Sequence, residues 1–291
     1  MGWQLFRVSY ELHSPLHIGY HKLSNVQRTR YYVPARNLWG AVTECLTRSG
    51  FQTRSVSQGT YLEMGNWVKN HFRFTYFFIN EGNVNLSPHY EGNRMHYGNL
   101  SKAEFDRRYL DSHVTTALDA ATTSAEGGSL HEVEFIAPYP RQDAYPGRRT
   151  SLAGWVFLDE EGREFFGTEK KWKTGLENLQ VGGERRYGFG RLRFLSIKPD
   201  STLNGFVVEP AGYSPSVYLK ANDALPAHVL VKGVHARGEI EPLVGRETSR
   251  SHAFGVNLTR GMMCWVPGSL LVENAKLQLE PEGYWRSVAG S

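Results

Sequence analysis

Glycine and arginine dominate the eleven residues from Val181 to Arg191, and that composition suits the binding of a polyanion. Gly182, Gly183, Gly188 and Gly190 leave backbone amides bare and tolerate positive φ. Arg185, Arg186 and Arg191 add forked guanidinium donors that match phosphate oxygens bidentately. Tyr187 and Phe189 offer flat faces on which a base can stack. A plain glycine-rich turn with solvated arginines has the same composition, so the loop gains weight only beside other features. Spacing excludes two nucleotide motifs. Gly188-Phe189-Gly190 lacks the third glycine of a dinucleotide fingerprint and leads into a strand-like run, and no Gly-Lys-Ser or Gly-Lys-Thr follows, as a P-loop requires. The phosphates this loop suits are those of a nucleic-acid backbone.

The histidines are the second place where chemistry can reside. Metal-free RNA cleavage needs a general base at a ribose 2′-hydroxyl and a general acid at the leaving oxygen, and histidine serves both near neutral pH. His17 and His21, with Tyr20 and Lys22, lie in a basic stretch that fits this use, although a structural or RNA-contacting histidine is the commoner reading. His13, His17 and His21 share helical spacing, but Pro15 and Gly19 interrupt any helix and no cysteine joins them, so we expect no metal and no cofactor.

The 291 residues are 40% hydrophobic and 21% charged, with a formal net charge of +4. No carboxylate occurs between Glu11 and Glu44, whereas Lys22, Arg28, Arg30 and Arg36 all fall there, so the basic character reads as focused. Cys45 and Cys264 stand apart in apolar surroundings and read as buried thiols of a reducing cytosol. No apolar run is long enough for a membrane span and the N-terminus has no signal-peptide core, so we expect a cytoplasmic protein with no membrane partner.

The elements that must position these residues follow from periodicity. Trp3 to Leu12 alternates as a strand, followed by a basic loop to Tyr32. A helix starts at Pro34-Ala35-Arg36-Asn37 with Asn37 as N-cap, carries Leu38, Val42, Cys45 and Leu46 on its apolar face, and has Gly40 for close approach to a neighbour. Phe74 to Ile79 is a strand, Asn83 to Gly98 has no regular element, and Ser101 opens a capping box. Ser112 to Ile136 gives two strands about a turn at Gly127-Gly128. Ala153 to Leu158 is a strand, Thr168 caps a helix bearing Trp172, Leu176 and Leu179, and Arg191 to Ile197 is a strand. Up to Lys198 the order is strand, helix, strand, insertion, strand, helix, strand, which is ferredoxin-like (RRM-like) and of the α+β class. We expect a domain over residues 1–198 with a long hairpin insertion at 83–149, then a β-rich or second ferredoxin-like unit at 205–291.

Four segments resemble the RAMP superfamily of CRISPR-associated proteins. Ser14-Pro15-Leu16-His17-Ile18-Gly19 is similar to the end of the family's first strand. Tyr32 to Ala41 is similar to its Tyr-Ile-Pro-Gly-Ser-Ser-Leu-Lys-Gly-Ala segment, with Asn37 in the place of the capping serine. Ser112-His113-Val114-Thr115 through Glu134 resembles the long hairpin of type III backbone subunits, and Gly182 to Leu192 resembles the family's glycine-rich loop. The resemblance covers residues 1–198 and implies a type III effector subunit. Its partners would be guide RNA (crRNA), sister RAMP subunits and the large subunit, with target RNA met indirectly. Residue by residue, it implies that Gly182, Gly183, Arg185, Arg186, Gly188 and Gly190 cradle the guide backbone and that the helix from Asn37 lies along the RNA. The aspartate that backbone subunits use on target RNA, before the first helix, has no counterpart, because the first aspartate is Asp106. We therefore expect no catalysis. Two alternatives remain: a repeat-processing endoribonuclease using His17 or His21, and an interaction scaffold without RNA. In the former group the glycine loop sits near the C-terminus, unlike here, and the latter leaves the arginine clustering unexplained. The hairpin is expected to reach over the guide to a neighbour and to be removable, from Ser112 to Ile136, without loss of folding.

Overall fold

Alternation along Gln4–Leu12 (β1) makes this strand the spine of a mixed α/β structure: Phe6, Val8, Tyr10 and Leu12 are buried on one face, while Arg7, Ser9 and Glu11 lie half-buried on the other. The computed structural model describes residues 2–50, 56–118, 121–122, 124, 128–141, 147–247 and 256–288. After β1 come a hairpin of Gly19–Leu23 (β2) and Val26–Thr29 (β3), then Tyr32–Val33 (β4), helices Ala35–Arg48 (α1) and Gln58–His71 (α2), and strands Phe72–Phe74 (β5) and Phe77–Glu81 (β6). Short strands Val84–Asn85 (β7), Pro88–Glu91 (β8), Arg94–Tyr97 (β9) and Leu100–Ser101 (β10) lead into helix Lys102–Tyr109 (α3). Leu110–Thr115 (β11) and His131–Ile136 (β12) form the long hairpin. Ser151–Leu158 (β13), helices Glu160–Phe166 (α4) and Glu169–Leu176 (α5), Asn178–Gln180 (β14), a 3₁₀ turn at Arg185–Tyr187 and Arg191–Pro199 (β15) follow.

The central sheet runs β14-β15-β1-β13-β6-β4 and is antiparallel throughout. The apolar face of β1 is covered by helices. Tyr10 shows how tightly: its hydroxyl accepts from Trp172 Nε1 at 2.8 Å and donates to the Leu176 carbonyl at 3.0 Å, and its ring meets Phe194 edge-on at 5.9 Å. Burying Tyr10 and Trp172 with their polar atoms satisfied keeps the hydrophobic gain without an orphaned group, and truncating Trp172 would cost about 3–5 kcal/mol.

Several expectations are corrected here. Asn37 is the third residue of α1, and Pro34 occupies the N-cap with no side-chain cap. Gly40 is exposed and touches nothing, whereas Gly65 of α2 makes the close helix contact, its Cβ position lying 3.2 Å from the Trp39 ring. The basic loop after β1 is a β-hairpin, and 83–98 holds β7, β8 and β9, because Gly82 and Gly92 at positive φ close tight turns. Cys45 is only half-buried. Gly127 lies outside the described residues. Ser101 forms its capping box with Glu104 as expected, and Thr168 caps α5, but Leu179 sits on β14.

The long hairpin is not a free projection. Strand β12 pairs in parallel with β3, in the order β11-β12-β3-β2, and Ile136 is fully buried and bridges to Leu16. Removing Ser112 to Ile136 would therefore strip β3 of one of its two partners and open the core, contrary to the sequence-based expectation. The described residues from 202 onward contain strands and turns only, eight of them in one sheet from Thr202–Leu203 to Ile240–Leu243. This sheet meets the central one through Arg73, whose Nε donates to Ser214 Oγ at 2.7 Å and whose guanidinium lies 4.6 Å from the Trp3 ring. No helix among the described residues is long and apolar enough to cross a membrane.

Candidate nucleic-acid interface

The glycine loop bridges β14 and β15 at one end of the central sheet, and its backbone geometry requires glycine. Gly182, Gly188 and Gly190 have φ of +82°, +83° and +76°. A Cβ on Gly190 would fall 1.8 Å from the Val181 carbonyl oxygen, and one on Gly182 would fall 2.3 Å from that of His17. At Gly188 the nearest atom is Arg191 Nη2, 3.8 Å away, so the glycine there answers to conformation alone. The amides are less bare than composition implies. Gly183 donates to the His17 carbonyl at 2.8 Å, Gly190 to that of Pro15 at 2.7 Å, and Tyr187 and Gly188 to carbonyls within the loop. Gln180 Nε2 pins the loop from inside, donating to the carbonyls of Arg185 and Phe189. The result is a closed platform rather than an open nest.

Each arginine of the loop has its own task. Arg185 is ion-paired with Glu44 of α1, which also holds Arg48 at 3.0 Å, so Arg185 anchors the loop to the helix. Arg186 and Arg191 are exposed and, among the described residues, form no ion pair. Tyr187 is 76% exposed between them. Phe189 instead meets Phe135 of β12 edge-on at 5.6 Å, joining the loop to the long hairpin. Arg186, Tyr187 and Arg191 are thus the groups the platform offers to a ligand.

The other predicted residues do not gather into one patch. Arg28 pairs with Glu134 at 2.9 Å, Arg30 with Glu241 at 2.7 Å and Arg36 with Glu247 at 3.3 Å, so three of the four cations in the carboxylate-free stretch are met by carboxylates from far along the chain. Lys22 is exposed on β2, where it lines a shallow polar cleft with Gln27, Ser129 and His131. His17 is only 4% exposed; its Nδ1 is 2.7 Å from the Glu134 carbonyl, and its ring lies under Gly183. His21 is exposed on β2, and His13 pairs with Glu11 at 2.9 Å, so the three histidines serve separate surroundings.

Sequence reasoning missed a buried polar chain joining the two sheets. Tyr76 Oη lies 2.6 Å from His228 Nδ1, His228 Nε2 meets Glu241, and Glu241 meets Arg30. Burial lowers the pKa of His228 against the opposing hydrogen bond to Glu241. Burial would raise that of Glu241, but the hydrogen bond from His228 and the charge of Arg30 outweigh it and the net shift is downward. A neutral imidazole donating from Nε2 to an ionised carboxylate satisfies both directions, which leaves Nδ1 to accept from Tyr76. Arg193, Lys198 and Arg7 were missed too, although the two-residue step from Arg191 to Arg193 on a strand places both on one face.

Comparison with solved structures finds many chains of similar fold, two of them as follows. One belongs to a type III-B Cmr-beta complex bound to cognate target RNA and AMPPnP (TM-score 0.55, 10% identity, covering 91% of this chain and 85% of that one). The other belongs to the same kind of complex bound to cognate target RNA (TM-score 0.53, 11% identity, 91% and 86%). Comparison with curated protein sequences gives no match. The family model of the RAMP superfamily matches residues 9–193, a span that holds the end of β1, both first helices, the long hairpin and the whole glycine loop. On that match the chain belongs to the RAMP superfamily.

Proposed function

We propose that this chain is a non-catalytic subunit of a type III CRISPR ribonucleoprotein effector complex, working in the cytoplasm, where it binds the guide RNA backbone and touches neighbouring RAMP subunits and the large subunit. The observation that carries this reading is the glycine platform, locked from below by His17, Gln180 and the Glu44–Arg185 pair, with Arg186, Tyr187 and Arg191 turned outward. Membership of the RAMP superfamily and similarity to chains of RNA-bound Cmr-beta complexes support it. The central sheet supports a ferredoxin-like core: β15, β1, β13 and β6 lie in the spatial order fourth, first, third, second of a split βαβ plan. We assign residues 1–198 to this core, with 83–149 as its insertion and 205–291 as a β-rich unit. Target RNA is met through the guide. The buried position of His17 speaks against its use as a general base or acid in the endoribonuclease alternative, and the lack of any aspartate before Asp106 speaks against target cleavage by this subunit.

The test is the salt dependence of single-stranded RNA binding. Arg186→Ala with Arg191→Ala should flatten the slope of log affinity against log salt by about 1.4, the release expected from two phosphate contacts on a single strand. Arg185→Ala should act instead through the loop's anchorage, lowering affinity without a matching change in slope. An unchanged slope in the double variant would overturn the assignment.

A further inference from the structure

The glycine platform is not the end of the basic surface. On the face of the central sheet opposite the helices, β15 exposes Arg191, Arg193 and Lys198. Register places Arg193 opposite Glu11, and Lys198 directly opposite Arg7 on β1. Two cations facing each other across a strand pair, with Cβ atoms roughly 5 Å apart, destabilise a sheet unless an anion sits between them. Among the described residues neither Arg7, Lys198 nor Arg193 forms an ion pair. The nearby carboxylates are already engaged: Glu11 with His13, and Asp200 with Trp155 Nε1 at 2.8 Å and the amides of Ser201 and Thr202. Between the charged ends, Ser9 and Ser196 share a hydrogen bond at 2.8 Å, and Leu195 is 45% exposed, giving neutral and apolar ground on which a ribose or base can rest.

We infer that the exposed strip of this face, along β15 and β1, is a second track for the phosphodiester backbone of single-stranded RNA, continuous with the glycine platform and running along β15 from Arg191 through Arg193 to the Arg7–Lys198 pair. The inference rests on the guide-binding proposal and extends it. From Arg191 to Lys198 the strand spans about 23 Å; the step from Arg191 to Arg193, roughly 6.6 Å, is comparable to the phosphate spacing of an extended single strand, and the irregularity that leaves Leu195 unpaired returns Lys198 to the same face. The track has a far end: Trp3 at the start of β1 bonds to the Pro210 and Gly212 carbonyls, so the chain from 202 to 212 walls it off. Continuity with the exposed Arg186, Tyr187 and Arg191 favours RNA over an acidic protein as occupant.

The experiment uses the full chain and two oligouridylates, one of about five nucleotides that spans the platform alone and one of about fifteen that reaches the sheet. Arg193→Ala with Lys198→Glu should leave the short oligomer's affinity unchanged and reduce the salt slope of the long one by about 1.4. Lys198→Glu alone places a carboxylate opposite Arg7 and should raise, not lower, the melting temperature, so loss of binding cannot be put down to misfolding. Long-oligomer binding indifferent to the double variant would overturn the track while leaving the platform intact. Failure of Arg186→Ala with Arg191→Ala to weaken the short oligomer would overturn the platform instead. A polyglutamate of about fifteen residues that binds as tightly as the long RNA, and is lost in the same variant, would reassign the face to an acidic protein.

Discussion

Two alanine substitutions in the glycine loop should differ sharply in cost, although both glycines have nearly the same φ. Gly188→Ala places a Cβ in open space, so its cost is the left-handed conformation alone, about 1–2 kcal/mol. Gly190→Ala carries the same cost and also drives a methyl to 1.8 Å from the Val181 carbonyl oxygen, a separation no side chain tolerates. The loop must open to relieve it, breaking the bonds from Gly190 to the Pro15 carbonyl and from Val181 to the Gly190 carbonyl, at about 1 kcal/mol each. Gly190→Ala should therefore exceed Gly188→Ala by about 2 kcal/mol, which in a chain of this size is a further fall of roughly 4 °C in melting midpoint. Differential scanning fluorimetry reads the midpoints, and filter binding of single-stranded RNA reads the loop, which Gly190→Ala should disable and Gly188→Ala should largely spare. Equal midpoints, or a more damaging Gly188→Ala, would refute the steric reasoning.

Acid should loosen the contact between the two sheets. His228 and Glu241 both have folded pKa values below their ordinary 6.5 and 4.5, so the stability they contribute is present above those values and is lost as pH falls through them. The melting midpoint should drop between pH 7 and pH 4, more shallowly in His228→Gln; parallel profiles would remove the network from the account of stability. A trimmed hairpin deletion, replacing 116–130 by a short Gly-Ser linker while keeping β11 and β12, should yield a folded protein that no longer co-purifies with sister subunits. Normal assembly would place the contacts elsewhere. The chain alone should leave repeat RNA intact with or without Mg²⁺, and cleavage abolished by His21→Ala would restore the endoribonuclease alternative.

Local signals were legible and long-range pairings were not. The alternation of β1, the capping box at Ser101 and the glycines of Gly182 to Gly190 each report on a few consecutive residues, and each of these stands where its pattern placed it. The carboxylate-free stretch misled because electrostatics act in space: Glu134, Glu241 and Glu247 reach Arg28, Arg30 and Arg36 from more than a hundred residues away. Phe189 looked like a stacking face until Phe135 was found against it. Arg185 looked like a phosphate ligand, yet Glu44 comes from a helix whose own pattern gives no hint of the loop it holds.

The most direct measurement is to purify the protein from its native host without crosslinking and to sequence the RNA it retains. Guide binding predicts short RNAs of uniform length that share one repeat-derived end and carry varied spacers, and their yield should fall in the Arg186→Ala and Arg191→Ala double variant. Recovery of bulk cellular RNA in proportion to its abundance, or of no RNA at all, would contradict it.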